Sequence, residues 1–187
     1  MNYLAHVFLA RPTVESVCGN LMGDFMKGVR LNDLPPVIQR GVLNHRMVDR
    51  FTDAHPAVKA LKPRLSPARR RFSGIICDVM FDHLLIQHWQ AFSDDNFTDF
   101  VNNAHQQIEA GWHYLPTEMQ RVMTLMIEQD WLHSYQTLAG VEAIIERMSR
   151  RIRFENQLGG AMQEVEDLLP HYEDAFLSLF PALLTQV

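Results

Sequence analysis

The sequence predicts an all-α fold, a single-domain helical bundle, on three observations. Apolar residues recur at three- and four-residue spacing along most of the 187 residues. Alternating Val/Ile/Thr runs and Asn-Gly or Asp-Gly hairpin turns are missing. Proline and glycine cut the periodic pattern into stretches of helix length. At 47% hydrophobic residues, a chain of this size can build a real core.

Taken in order, Leu4, Val7 and Phe8 mark one face of a first helix that stops at Arg11-Pro12. A second helix is expected over about 14–26, with Val17, Leu21 and Phe25 on one side, Asn20 and Asp24 on another, and Gly28 closing it. Leu34-Pro35-Pro36 opens a third, because proline in a first helical turn costs no hydrogen bond. It carries Val37, Val42, Val48 and Phe51 with His45, Arg46, Asp49 and Asp53, and ends before His55-Pro56. A short helix at about 57–61 follows. Ser66-Pro67 then reads as the N-cap and first-turn proline of a long central helix over about 68–92. Beyond it, helices are expected over 96–114, 117–134, 141–150 and 160–184, with breakers at Pro116, Gly140, Gly159-Gly160 and Pro170.

Composition narrows the function. A net charge of −5 argues against wholesale nucleic-acid binding. Cys18 and Cys77 each lie in an apolar segment, which suggests a reducing cytoplasm and not a disulfide framework. The apolar N-terminus lacks a basic region and is interrupted by His6, so a helix is expected there and not a signal peptide. No run reaches the ~18 apolar residues of a membrane span, and the expectation is a soluble cytoplasmic protein.

Histidine and aspartate cluster in the first half. His6, His45, His55, His83 and His88 stand there with Asp24, Asp49, Asp53, Asp78 and Asp82, most of them in mid-helix positions that aspartate does not favour. Asn20/Asp24, His45/Asp49, Asp49/Asp53 and Asp78/Asp82 are all i, i+4 pairs, so each pair shares a helix face. Two carboxylates one turn apart repel each other and call for a cation. A divalent metal, an arginine partner and a solvated polar stripe all meet that demand. Cysteine is too sparse for structural zinc, and the Glu-x-x-His pairs of di-iron bundles are missing. Short Asp and His ligands suit Mn²⁺ or Mg²⁺ with open water positions, an arrangement that hydrolyses phosphate esters. Arg46 could hold a phosphate oxygen.

Six basic residues, Lys59, Lys62, Arg64, Arg69, Arg70 and Arg71, form a local positive stretch where an anionic partner could bind. A solvated loop is the plainer reading. Arg147, Arg150, Arg151 and Arg153 read as a helix C-terminus that complements the helix dipole. Phe92, Phe97, Phe100, Trp112 and Trp131 read as core aromatics before any tunnel lining.

The opening Met-Asn-Tyr-Leu-Ala-His, the stretch Gly19-Asn20-Leu21-Met22-Gly23-Asp24-Phe25, the stretch His45-Arg46-Met47-Val48-Asp49 with Asp53, and Asp78-Val79-Met80-Phe81-Asp82-His83 with His88-Trp89 resemble the acyl carrier protein phosphodiesterases. The likeness continues more loosely through Gln129-Asp130-Trp131-Leu132 and Tyr135. The resemblance implies an all-helical relative of the HD phosphohydrolases that depends on Mn²⁺. Such an enzyme removes the 4′-phosphopantetheine arm from holo-acyl carrier protein, an acidic helical partner suited to the 59–71 stretch. Asp82-His83 reverses the usual His-Asp order, so ligand identities do not transfer from the wider superfamily.

On this resemblance Asp24, His45, Asp78 and Asp82 are the expected metal ligands, with His6 as a ligand or a buried support. His83 and Asp49 are expected to coordinate or to act beside the metal, and Asn20 and Arg46 to contact phosphate. Two rivals stay open: an HD-type hydrolase of an alarmone-like nucleotide, and a non-enzymatic helical metal carrier.

Overall fold

Three helices start where a polar side chain caps them. Thr13 Oγ1 accepts from Ser16 N–H at 3.3 Å, Asn96 Oδ1 from Thr98 and Asp99 N–H at 2.9 and 3.2 Å, and Thr137 Oγ1 from Gly140 N–H at 3.1 Å. Each satisfies N–H groups that a helix start leaves without an intrahelical partner. The computed structural model describes residues 1–187. It contains helices and no strands: α1 (Tyr3–Phe8), α2 (Val14–Met22), α3 (Pro36–Ala54), α4 (Pro56–Lys59), α5 (Ser73–Gln87), α6 (Trp89–Phe92), α7 (Phe97–Ala110), α8 (Thr117–Glu128), α9 (Trp131–Ser134), α10 (Leu138–Arg151) and α11 (Met162–Leu184), with 3₁₀ turns between several of them. The all-α expectation holds. No helix is long and apolar enough to cross a membrane.

The chain forms two compact units. The first comprises Tyr3–Arg50 and Trp89–His133, with Val187, and the second Met1–Asn2, Phe51–His88 and Ser134–Gln186. In the first unit α2 packs on α1 and α7. The approach of α7 needs Gly111, where a Cβ would stand 2.2 Å from Cys18 Sγ. Trp89 is buried among Phe8, Phe97 and Phe100, with ring centroids 5.3, 5.0 and 4.9 Å away in edge-on contacts. Its indole N–H donates to the Asp95 carbonyl at 2.7 Å. Trp89 is core, and Phe8, Phe97 and Phe100 are half-buried around it.

In the second unit α5 packs against α10 and α11. Ile76, Cys77, Val79, Met80, Phe81, Leu84 and Leu85 bury it on every side, as its nearly unbroken apolar sequence requires. Phe81, Phe176 and Phe180 continue that core, with centroids 6.0 and 5.0 Å apart in turn.

Several boundaries differ from expectation: α2 ends at Met22 and not near residue 26, and the helix expected over 68–92 divides at His88 into α5 and α6. The central helix starts at Ser73, not near residue 68, because Ser66 does not cap it. Ser66 N–H instead donates to Glu164 Oε2 at 2.9 Å, and a 3₁₀ turn at Arg70–Phe72 intervenes. Gly140 does not break a helix but lies inside α10, where a Cβ would stand 1.8 Å from the Ser134 carbonyl oxygen. Pro170 and Pro181 both lie inside α11. Both are exposed, so the carbonyls that lose an N–H partner face water and the helix continues.

Candidate metal centre

Helix α2 ends at Met22, and the next three residues tighten into a 3₁₀ turn, Gly23–Phe25. Gly23, at the junction, makes room for His45. A Cβ there would lie 2.1 Å from His45 Cδ2 and 2.2 Å from Cγ, so only glycine leaves room for the imidazole. The α2–α3 crossing is equally tight upstream, where Gly19 meets Gly41 with no side chain on either. That close backbone approach brings Asp24 to His45.

An amide chain fixes the frame. Asn44 Nδ2 donates to the Leu9 carbonyl at 3.1 Å and to Asn20 Oδ1 at 2.9 Å. Asn20 Nδ2 donates to the Ser16 carbonyl at 2.9 Å. The end of α1, the middle of α2 and the middle of α3 are thus joined beside the cluster. Asn20 spends both ends of its amide inside the protein, which leaves it the role of a strut. Asn44 gave no sign in the sequence, since an asparagine in mid-helix has no distinguishing pattern.

The cluster itself is His6, Asp24, His45 and Asp49. His45 Nε2 lies 3.1 Å from Asp49 Oδ2, the i, i+4 pair read from the sequence, and 3.4 Å from Asp24 Oδ1. The other oxygen of Asp49 lies 3.2 Å from His6 Nε2. The two imidazoles stack at 3.9 Å between centroids with 20° between their planes. His6, His45 and Asp49 each offer a ligand atom, all within 4.8 Å of one another. The histidine side chains are 2% and 4% exposed, but those of Asp49 and Asp24 are 41% and 56% exposed. The cluster therefore has a buried nitrogen floor and a carboxylate rim open to solvent.

Its electrostatics are polarised. Burial holds the His6 imidazole down to about 4, more than offsetting its contact with Asp49. Burial also opposes a proton on His45, but the hydrogen bonds its ring N–H donates to the Asp24 and Asp49 carboxylates outweigh it and raise this imidazole to about 9. For Asp49, burial favours the neutral form, and its two histidine partners reverse that, holding the carboxyl well below the usual range. Neither ring nitrogen of His6 has a hydrogen-bond partner, although both are buried: the 3.2 Å approach to Asp49 lacks hydrogen-bond alignment. Buried polar atoms without partners are costly and rare. A divalent cation would give this nitrogen one, and two imidazoles with two carboxylates are a donor set suited to Mn²⁺ or Mg²⁺ as well as softer metals.

The remaining expected residues are placed as follows. Arg46 follows His45 on α3 and is exposed. Asp78, Asp82 and His83 belong to α5 in the second unit. The cation beside Asp78 is the Met1 ammonium, 2.5 Å from Oδ1, and Asp82, fully buried, accepts from Asn2 N–H at 3.2 Å. His83 Nδ1–H donates to the Tyr135 carbonyl at 2.7 Å, and burial lowers the pKa of its ring. In the basic stretch, Arg69 is spent on Glu164 at 2.5 Å, whereas Lys59, Lys62, Arg64, Arg70 and Arg71 are exposed.

A family model described as acyl carrier protein phosphodiesterase matches residues 1–183. Curated relatives of that name are similar over their full length. The protein of Yersinia pestis is 33% identical, covering 100% of this chain and 97% of the relative. That of Pectobacterium atrosepticum is 33% identical, over 98% and 96%. That of Photorhabdus laumondii is 31% identical, over 98% and 93%. No solved structure matches the chain.

Proposed function

Because this chain belongs to the acyl carrier protein phosphodiesterase family, we propose that it hydrolyses the phosphodiester joining the 4′-phosphopantetheine arm to the serine of holo-acyl carrier protein. We propose further that a divalent cation, Mn²⁺ or Mg²⁺, held by His6, His45, Asp49 and Asp24, is required. The observation that carries this reading is the convergence of His6, His45 and Asp49 within 4.8 Å, with both buried ring nitrogens of His6 lacking a hydrogen-bond partner. When bound, such a cation supplies Lewis acidity toward a phosphoryl oxygen and acidifies water.

The protein's own groups do the rest. Asp49 pairs with His45 Nε2 through one oxygen and so orients that ring, while its other oxygen stands 3.2 Å from His6 Nε2. His45 must give up its proton to become a ligand, and the exposed carboxylate of Asp24 is its nearest acceptor besides Asp49. Asp24 at the rim is also placed to orient an attacking water. Arg46, exposed on the next position of α3, supplies a charge for a phosphate oxygen. The exposed Lys59, Lys62, Arg64, Arg70 and Arg71 recruit the acidic carrier by charge.

Incubation with holo-acyl carrier protein, with Mn²⁺ or with EDTA, followed by intact-mass spectrometry of the carrier, tests the reading. Loss of the phosphopantetheine mass only with metal, and not in Asp24→Ala or His45→Ala, is expected. An unchanged carrier under every divalent metal would sink the hydrolase assignment.

A further inference from the structure

The second basic segment, 147–153, has no part in the reaction above, yet within the second unit the turn that follows it, 154–159, meets the 59–71 stretch. Arg71 joins them: its guanidinium lies 4.6 Å from the Phe72 ring centroid and 4.5 Å from that of Phe154. Arg69 fastens the same two segments, with Nε donating to the Gln157 carbonyl at 2.9 Å and Nη2 to the Gly159 carbonyl at 3.4 Å. Between them is a shallow hollow of about 340 Å³, bordered by Pro67, Ala68, Arg71 and the 155–157 turn. Phe154 is 55% exposed and is the one aromatic among the four large apolar side chains left in solvent. Lys59, Lys62, Arg150 and Arg153 are exposed and have no carboxylate partner. No acidic residue occurs between Pro56 and Cys77.

An exposed phenylalanine held by Arg71 and flanked in sequence by the exposed Arg153 and Glu155, on a surface where basic side chains outnumber acidic ones, has the composition of a protein-binding hot spot. The stacked guanidinium fixes the ring before any partner arrives, so little ordering remains to oppose binding. Charge selects the partner: a helix face that is acidic with an apolar residue among its carboxylates. We infer that Arg71, Arg150, Arg153 and Phe154 form a second limb of the docking surface for acyl carrier protein, continuous with the 59–71 stretch. This rests on the carrier-protein reading above. Phe154 inserts among the apolar residues of the carrier helix, and the arginines meet its carboxylates.

Titration of fluorescently labelled apo-acyl carrier protein into the full chain, read by anisotropy at low salt, tests the surface. The Arg150→Glu/Arg153→Glu variant should weaken binding ~10-fold or more, and Phe154→Ser several-fold, whereas Arg150→Lys/Arg153→Lys should stay within about twofold of the parent. Circular dichroism melts check that all three fold. Unchanged binding in the reversal and Phe154 variants, with the parent still removing the arm, overturns the surface alone. A parent that neither binds the carrier nor removes the arm overturns the function and the surface with it. Equally tight binding of a short oligonucleotide by the same residues overturns the choice of partner.

Discussion

At His45 two requirements meet in one imidazole: space for its ring and a destination for its proton. The space comes from Gly23, where even a methyl group would stand 2.1 Å from Cδ2. Gly23→Ala should therefore tilt the ring and lower Mn²⁺ affinity by about 10-fold or more, measured by calorimetry, while helix content stays intact. The proton makes metal binding pH-dependent. With the His45 pKa raised to about 9, an incoming cation must displace a proton at neutral pH, so Mn²⁺ affinity should rise by about tenfold per pH unit from 7 toward 9. In metal-free protein the same shifts set stability. The raised His45 contributes fully below its ordinary value of 6.5 and loses that contribution as pH rises through about 9. His6, held neutral until about 4, costs stability as pH falls below 6.5, where the unfolded chain takes up a proton and the folded one does not. Metal-free protein should thus be most stable near pH 6.5 and lose stability on either side, toward 9 through His45 and toward 4 through His6, checked by thermal melts across pH. His45 and Asp49 were legible in the sequence because i, i+4 spacing puts them on one face. His6 stood out less, since its partners lie more than 38 residues away in the chain and no local spacing reports them.

At the scale of helices, periodicity located nearly every element, because burial of one apolar face is what makes each segment helical. Ends were less legible, because long-range partners set them. Glu164, 98 residues from Ser66, takes the Ser66 N–H and, with Arg69, pins the loop before α5. Glu164→Ala should free that loop, cost ~1–2 kcal/mol and lower Tm by a few degrees, read by differential scanning calorimetry. Burial opposes the charge on Glu164, but its bonds to Ser66 and Arg69 win and hold its pKa low. Its contribution is therefore present above the ordinary carboxylate pKa and fades as pH falls through the lowered one. Proline misled differently: Pro170 reads as a breaker, but the exposed face of α11 tolerates the missing N–H. Asp78 and Asp82 were expected to hold a divalent metal; in the structure Asp78 has the Met1 ammonium beside it and Asp82 accepts from Asn2 N–H. The Met1 ammonium beside Asp78 could not be foreseen, because no local pattern ties the first residue to the middle of α5.

At the scale of the whole molecule, a chain of net charge −5 gathers six of its 17 basic side chains between Lys59 and Arg71, the stretch proposed to recruit the acidic carrier. KM for holo-acyl carrier protein should then rise several-fold as ionic strength goes from ~0.02 to ~0.2 M, with kcat little changed, because salt screens exposed charges. A nucleotide held by a few buried contacts would show a much flatter dependence. The proposed reaction depends most on a divalent cation at the His6/His45/Asp49 cluster. Anomalous diffraction from crystals grown with Mn²⁺, collected near the manganese edge, locates it directly. The account predicts a peak within coordination distance of His6, His45 and Asp49, with Asp24 at the edge of the same site. A crystal of active protein whose manganese lies away from both histidines would contradict it.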